Sequence, residues 1–229
     1  MKVNDRYVSF YYEPDTDWGK IEIEKQRTAL LIVDLQRVFV ERPSGENLTE
    51  EKRKFAERWK LFYDKIENVV LPNNQKILKA FREKKMEVVF AMIQSRKKDG
   101  RDRSLVQKAT GFNELLLPPG SKDAEIMPEI FPIEDEIVIC KTTDSAVTGT
   151  TLRLILSNMG IDTVVVTGVF TDQCVSGTVR SLADESIKVW LIEDACMAAT
   201  EEIQNHELTV LNNIYCHVIN TEELLEAIG

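Results

Sequence analysis

Histidine is almost missing from this chain. Among 229 residues only His206 and His217 carry an imidazole. They fall in a late helix-period stretch and a late strand, so both read as structural. Cysteine is sparse as well: Cys140, Cys174, Cys196 and Cys216 are scattered, with no CxxC or metal-ligand spacing. That pattern fits a reducing compartment rather than a disulfide framework. No apolar run approaches the roughly 20 residues of a membrane span. The first residues, MKVNDRYVSFYYEPDTDWGK, hold no apolar signal core, so the expected location is cytoplasmic. Positive charge is in deficit: 29 Lys and Arg stand against 38 Asp and Glu, a net charge of −9. That balance argues against nucleic acid or an anionic membrane as a partner. Repeats and low-complexity tracts are lacking too. Residues 1–229 are therefore expected to form one domain, with 1–27 as an N-terminal arm. Tyr7, Phe10, Tyr11, Tyr12 and Trp18 of the arm would pack on the domain or on a neighbouring subunit.

What is present is an ordinary globular mixture, 43% hydrophobic and 29% charged, laid out as short β-branched runs between helix-period segments. TALLIVD (Thr28 to Asp34) reads as a doubly buried strand. A charged, amphipathic stretch from Thr49 to Val70 follows, with Phe55, Trp59, Phe62, Tyr63 and Ile66 on one stripe. Pro72 is expected to break it, and a second helix to run from about Asn74 to Lys85. Further strands are expected at Met86 to Gln94, Glu136 to Cys140, Val164 to Val166, Lys188 to Asp194 and about Tyr215 to Ile219. Helices are expected at about Thr150 to Met159, from Cys174, at about Thr200 to Asn213, and after a Thr221 cap. Residues 95–135 are irregular, and a connection of that length is usually functional. The fold class that follows is α/β: a three-layer α/β/α, doubly wound, six-stranded parallel sheet.

In such a sheet ligands bind at the carboxyl ends of the strands. Those ends carry Asp34, Gln94, Lys141, Cys174 and Asp194. Three of them make a working set. Cys174 follows a turn at the start of a helix, where free N–H groups favour a thiolate. Asp34 can take the thiol proton and return it to a leaving amine. Lys141 can hold the aspartate and favour the thiolate. The backbone N–H groups of Phe170 and Cys174 are the natural oxyanion donors. Cys140, Cys196 and Cys216, on or beside strands, read as core. Asp194 is as well suited to bonding the following loop as to touching a ligand.

ALLIVDLQRVF around Asp34, ICKTTDSAVTGTTL around Lys141 and TGVFTDQCVSGTVR around Cys174 resemble, in order and spacing, the isochorismatase-like superfamily of cysteine hydrolases. Its members include nicotinamidases, carbamoylsarcosine amidohydrolases, and ureidoacrylate and biuret hydrolases. The resemblance implies an Asp–Lys–Cys triad at Asp34, Lys141 and Cys174, a cis peptide at Val169–Phe170 and strand order 3-2-1-4-5-6. It also implies a homodimer or homotetramer acting on a small-molecule substrate. Nicotinamidases of this kind bind a metal through an aspartate and histidines soon after the first strand. Here neither LQRVFVERPSGENLTEEKRK nor SRKKDGRDRS holds a histidine, so no metal and no cofactor are expected.

The expected activity is metal-independent hydrolysis of a C–N bond in a small amide, ureide or carbamoyl compound through a thioester. Three other readings stay open: an isochorismatase-type vinyl-ether hydrolase using Asp34 and Lys141 without Cys174, a catalytically silent binding or regulatory homologue, and a redox-active thiol. The last is weakened by the absence of a nearby resolving cysteine. Expected pocket residues are Gln36, Phe39, Gln94, Arg96 and Val147. Gln36 would support the site or simply bond a neighbouring loop. Arg96 or Arg101 would meet an anionic substrate group or remain in a solvated loop.

Overall fold

A computed structural model describes residues 6–14, 23–45, 48–111 and 114–229; Trp18 of the arm lies outside them. Six strands form one parallel sheet: β1 (Thr28–Val33), β2 (Glu87–Ile93), β3 (Ile137–Lys141), β4 (Thr163–Val169), β5 (Lys188–Met197) and β6 (His217–Ile219), in the order β3-β2-β1-β4-β5-β6. β1 and β4 are buried along their whole length, which is why both read as continuous apolar runs. The order reverses between β1 and β4, and that switch point fixes where a ligand cleft opens.

Side-chain alternation divides each strand between two cores. Leu30, Ile32, Val88, Phe90, Val165 and Ile192 point to one face. There they meet α3 (Lys60–Lys65), α4 (Leu71–Glu83) and α8 (Thr221–Ile228) through residues such as Phe62, Ile77, Phe81 and Leu224. Ala29, Leu31, Val33, Val164, Val166 and Leu191 point to the other. They pack on α5 (Leu152–Asn158), α6 (Ser176–Asp184) and α7 (Glu201–Leu211) through Leu152, Leu156, Val179, Leu182 and Leu208. Two short or peripheral helices, α1 (Arg37–Val40) and α2 (Glu50–Arg58), stand beside the carboxyl ends of the strands.

The expected break at Pro72 does not occur. Pro72 sits in the first turn of α4, where its missing N–H needs no partner. The change of pitch falls earlier, in a π-turn over Ile66–Val70 closed by Leu71 N to Ile66 O. Upstream, the amphipathic stretch is divided at Trp59 into α2, with Thr49 as its cap, and α3. The last helix is also capped one residue sooner than expected. Asn220 and Glu223 form a reciprocal capping box, and Thr221 is the first helical residue. β5 runs on to Met197, three residues past Asp194, with a register shift against β4 between Val166 and Gly168. β6 is shorter than expected and begins at His217. In the arm, Tyr7 packs on the second core and its carbonyl accepts from Asn212 Nδ2 at 2.8 Å. Phe10 and Tyr11 project outward, 81% and 82% exposed.

Candidate active site

Register places the site. Val33 pairs with Ala91 on one side and Gly168 on the other, while Ile93 pairs with Lys141. Asp34 and Lys141 therefore emerge at nearly the same height, two strands apart. At about 4.8 Å between strands, only a long side chain closes that gap. Lys141 does so: its Nζ lies 2.7 Å from Asp34 Oδ2 and donates to Thr143 O at 3.1 Å. Both side chains are dry, 0% and 1% exposed. Asp34 takes a positive φ of 52°, a conformation that costs most L-residues about 1–2 kcal/mol. Its amide donates to Ala91 O at 2.9 Å, and its carbonyl accepts from Gln36 N at 2.7 Å. The turn aims the carboxylate back over the sheet.

β4 reaches the same point from the other side. Gly168 has φ 119°, and a Cβ there would stand 1.9 Å from Val33 O. Only glycine lets β4 run this close to β1. After it the Val169–Phe170 peptide is cis, and residues Thr171–Val175 form a π-turn that leads into α6. Cys174 is thus carried in a wide turn before the helix, not in the first turn of the helix itself. Phe170 O accepts from Gln173 N at 2.9 Å and Val175 N at 3.2 Å, which fixes the turn.

The thiol lies between two carboxylates. Cys174 Sγ approaches Asp144 Oδ1 at 3.7 Å, and Asp34 lines the same cavity. Its environment does not lower its pKa as the helix-start reading expected. Burial, then the Asp34 charge, push the thiol well above 9.0, against the opposing pull of Lys141. Burial also raises the Asp34 carboxyl, while Lys141 draws it down. The resting site therefore holds a thiol beside a base, and the nucleophile forms when the proton moves between them.

Asp34 and Cys174 lie in a cavity of about 800 Å³. Phe39, Phe55, Trp59 and Phe170 form an apolar wall. Phe55 stacks on Trp59 at 5.6 Å, and the Phe170 ring meets Phe39 at 5.9 Å and Trp59 at 6.0 Å. A polar wall faces it, built from Gln107, Asp144, Asp172, Ser176 and Arg180. Arg180 pairs with Glu207 at 3.1 Å and lies 4.5 Å over the Tyr215 ring. Asp172 is half-buried, and burial raises its carboxyl.

Of the expected pocket residues, Phe39 lines this cavity. The other four are absent from its lining, and Gln36 and Arg96 take the second of the two roles expected of each. Gln36 is buried and ties the end of β2 to the turn at Ala124, donating to Ile93 O at 2.9 Å and Ala124 O at 2.7 Å while accepting from Ile93 N. Gln94 accepts from Cys140 Sγ at 3.7 Å and lines a different cavity beside Phe131. Arg96 is exposed, and its amide bonds Asp102. Val147 packs into the second core. Asp194 accepts from Thr221 N and Oγ1 at 2.8 and 2.7 Å, which ties β5 to α8.

Asp144 and Asp172 were missed, although both stand inside the stretches around Lys141 and Cys174. Arg180, the last residue of the stretch around Cys174, was missed too; Gln107 was missed because only its bond to Asp144 across two loops brings it near the thiol. His206 and His217 sit on α7 and β6. Among the described residues no group of three or more His, Cys, Asp or Glu can hold an ion. No helix among them is long and apolar enough to cross a membrane.

Comparison with known proteins gives the family of the chain. Residues 28–223 match the family model of the isochorismatase domain. The uncharacterised isochorismatase family protein YrdC of Bacillus subtilis is 27% identical over 214 residues, covering 88% of this chain and 96% of that protein. N-carbamoylsarcosine amidase of an Arthrobacter species is 26% identical over 167 residues, covering 69% of this chain and 60% of that protein. A crystal structure of a cysteine hydrolase from Pseudomonas syringae pv. phaseolicola 1448A superposes with a TM-score of 0.75 at 23% identity, covering 91% of this chain and 95% of the other.

Proposed function

The chain belongs to the isochorismatase family of hydrolases, and from that premise we propose that it hydrolyses the C–N bond of a small amide, ureide or carbamoyl compound without a metal. The observation that carries this reading is the buried Asp34–Lys141 pair, with its Asp34 lining the same cavity as Cys174. A thiol, a base and a fixed cation around one point are what acyl transfer from nitrogen requires.

The steps balance within the protein. Cys174 gives its proton to Asp34, and its sulfur bonds the substrate carbonyl carbon. The N–H groups of Phe170 and Cys174 take the developing oxyanion. The tetrahedral intermediate collapses, the C–N bond breaks, and Asp34 returns its proton to the departing amine or ammonia. Water then adds to the thioester with Asp34 as base. The C–S bond breaks, the thiol is restored, and the acid leaves. Lys141 holds Asp34 in place and offsets the negative charge that passes between Asp34 and sulfur. The amide relative N-carbamoylsarcosine amidase supports this reading over a vinyl-ether reaction, in which Cys174 would have no part.

The test is ammonia or amine release over a panel of ureides, carbamoyl amino acids and aromatic amides, with Cys174→Ala and chelator-treated controls. Release that disappears in Cys174→Ala and persists with chelator supports the proposal. Release that survives the substitution, or is lost with chelator and restored by added zinc or manganese, overturns it.

A further inference from the structure

Arg103, on the long connection after β2, is 2% exposed. Its Nε donates to Leu115 O at 3.0 Å. Both terminal nitrogens are buried without a hydrogen-bond partner among the described residues. Its neighbours tie the connection to the site. Ser104 N donates to Thr142 O at 3.3 Å, Gln107 Nε2 donates to Asp144 Oδ1, and that same oxygen approaches Cys174 Sγ. Asp34, Asp144 and Cys174 are the groups whose charge the guanidinium feels most.

A dry cation with unfilled donors is expensive. Lys141 already neutralises Asp34, so the buried triad needs no second cation at rest. It needs one only when negative charge appears on Cys174 or on the substrate oxygen bonded to its carbon. Arg103 is a buried cation with two free donors, on the connection whose Gln107 holds the Asp144 carboxylate beside that thiol.

We propose that Arg103 is a positioning residue of the site, a second buried cation that stabilises the negative charge arising at Cys174. The inference rests on Asp34, Lys141 and Cys174 being the reacting set. It assigns part of the irregular 95–135 segment to that set. The groups acting on Cys174 are then Asp34 at the end of β1, Lys141 at the end of β3, Asp144 in the following loop and, by this proposal, Arg103 beyond β2; Asp172 lines the same cavity. The Arg180–Glu207 pair of α6 and α7 lies further along the cavity wall.

The experiment is the rate of iodoacetamide labelling of Cys174 in the full chain as a function of pH, read by peptide mapping. Arg103→Met should move the labelling midpoint up by about one pH unit, a rate about tenfold lower below the midpoint. Arg103→Lys keeps the charge and should retain the original midpoint. Arg96→Met, an exposed change on the same connection, should leave it unmoved. An unshifted midpoint in folded Arg103→Met overturns the proposal, because a purely structural arginine would change stability alone. So does an Arg103→Lys variant that behaves like Arg103→Met. Should Arg103→Met fail to fold, Arg103→Lys decides: an original midpoint supports the charge role and a raised one overturns it. Labelling requires no substrate, so a chain that labels as described yet never releases ammonia sinks the amidohydrolase reading and leaves this one standing.

Discussion

Lys141 Nζ lies 2.7 Å from Asp34 Oδ2 with both side chains out of water. Removing one partner of such a pair leaves an uncompensated buried charge, which costs about 3–5 kcal/mol. Lys141→Met should therefore destabilise the chain by that amount. The double variant Asp34→Leu/Lys141→Met should recover much of the loss. Urea unfolding of the two singles and the double checks it. Additive losses would mean that the two groups do not act as a pair.

The same pair sets the acid limit of activity. Burial raises the Asp34 carboxyl above 3.8, and Lys141 opposes that rise. Protonation removes the base, so kcat/KM should fall as pH drops through a value above the ordinary carboxylate range. Lys141→Met takes away the opposing charge and should move that limb to still higher pH. A pH–rate profile with whichever substrate the panel identifies gives the answer.

Gly168 separates two costs that usually come together. Gly168→Ala places a Cβ 1.9 Å from Val33 O at φ 119°, so β1 and β4 must move apart. Gly45→Ala meets nothing within 4 Å at φ 117° and should cost only about 1 kcal/mol for the backbone. Gly168→Ala should cost about 3 kcal/mol or more and abolish activity, since Asp34 and the Cys174 turn hang from the two strands. Thermal melts of both variants make the comparison.

The apolar wall should govern affinity more than chemistry. Trp59 stacks on Phe55 and lines the cavity with its ring against Phe62 and Phe170. Trp59→Ala should raise KM about tenfold, equivalent to about 1.4 kcal/mol of lost contact, with a smaller change in kcat. Steady-state kinetics separates the two.

His217 gives stability its own pH dependence. It lies against Trp190 at 5.8 Å, and burial lowers its pKa below 6.5. The folded chain thus holds the neutral ring, while the unfolded chain takes up a proton below 6.5. Stability is full above that value and declines as pH falls from it toward the lowered folded value. His217→Gln should flatten this part of the curve. Urea midpoints of both proteins at neutral and mildly acid pH test the sign.

Strand order and the buried strands were legible because doubly buried β-branched runs carry their own signal, and the family resemblance supplied the order. Asp34, Lys141 and Cys174 were visible as chemically complementary groups at strand ends. The pitch change at Ile66–Val70 was not, because a π-turn leaves the apolar stripe intact. The Cys174 pKa was misread because a local rule about helix starts takes no account of how deeply the turn is buried. Gln94 and Val147 belong to the right stretches but are held elsewhere, Gln94 by Cys140 and Val147 against the second core, contacts that only the loop conformations decide. Arg103 and Gln107 sit in a segment with no period at all.

Lys141 has one further consequence. It ends β3, which is five residues long and forms one rim of the sheet, paired among the described strands with β2. Rim strands open first when a fold breathes. Heat or mild denaturant should therefore silence the protein by detaching β3 while the inner strands stay paired. Loss of activity would then precede loss of the fold, and amide exchange along Ile137–Lys141 would keep time with it.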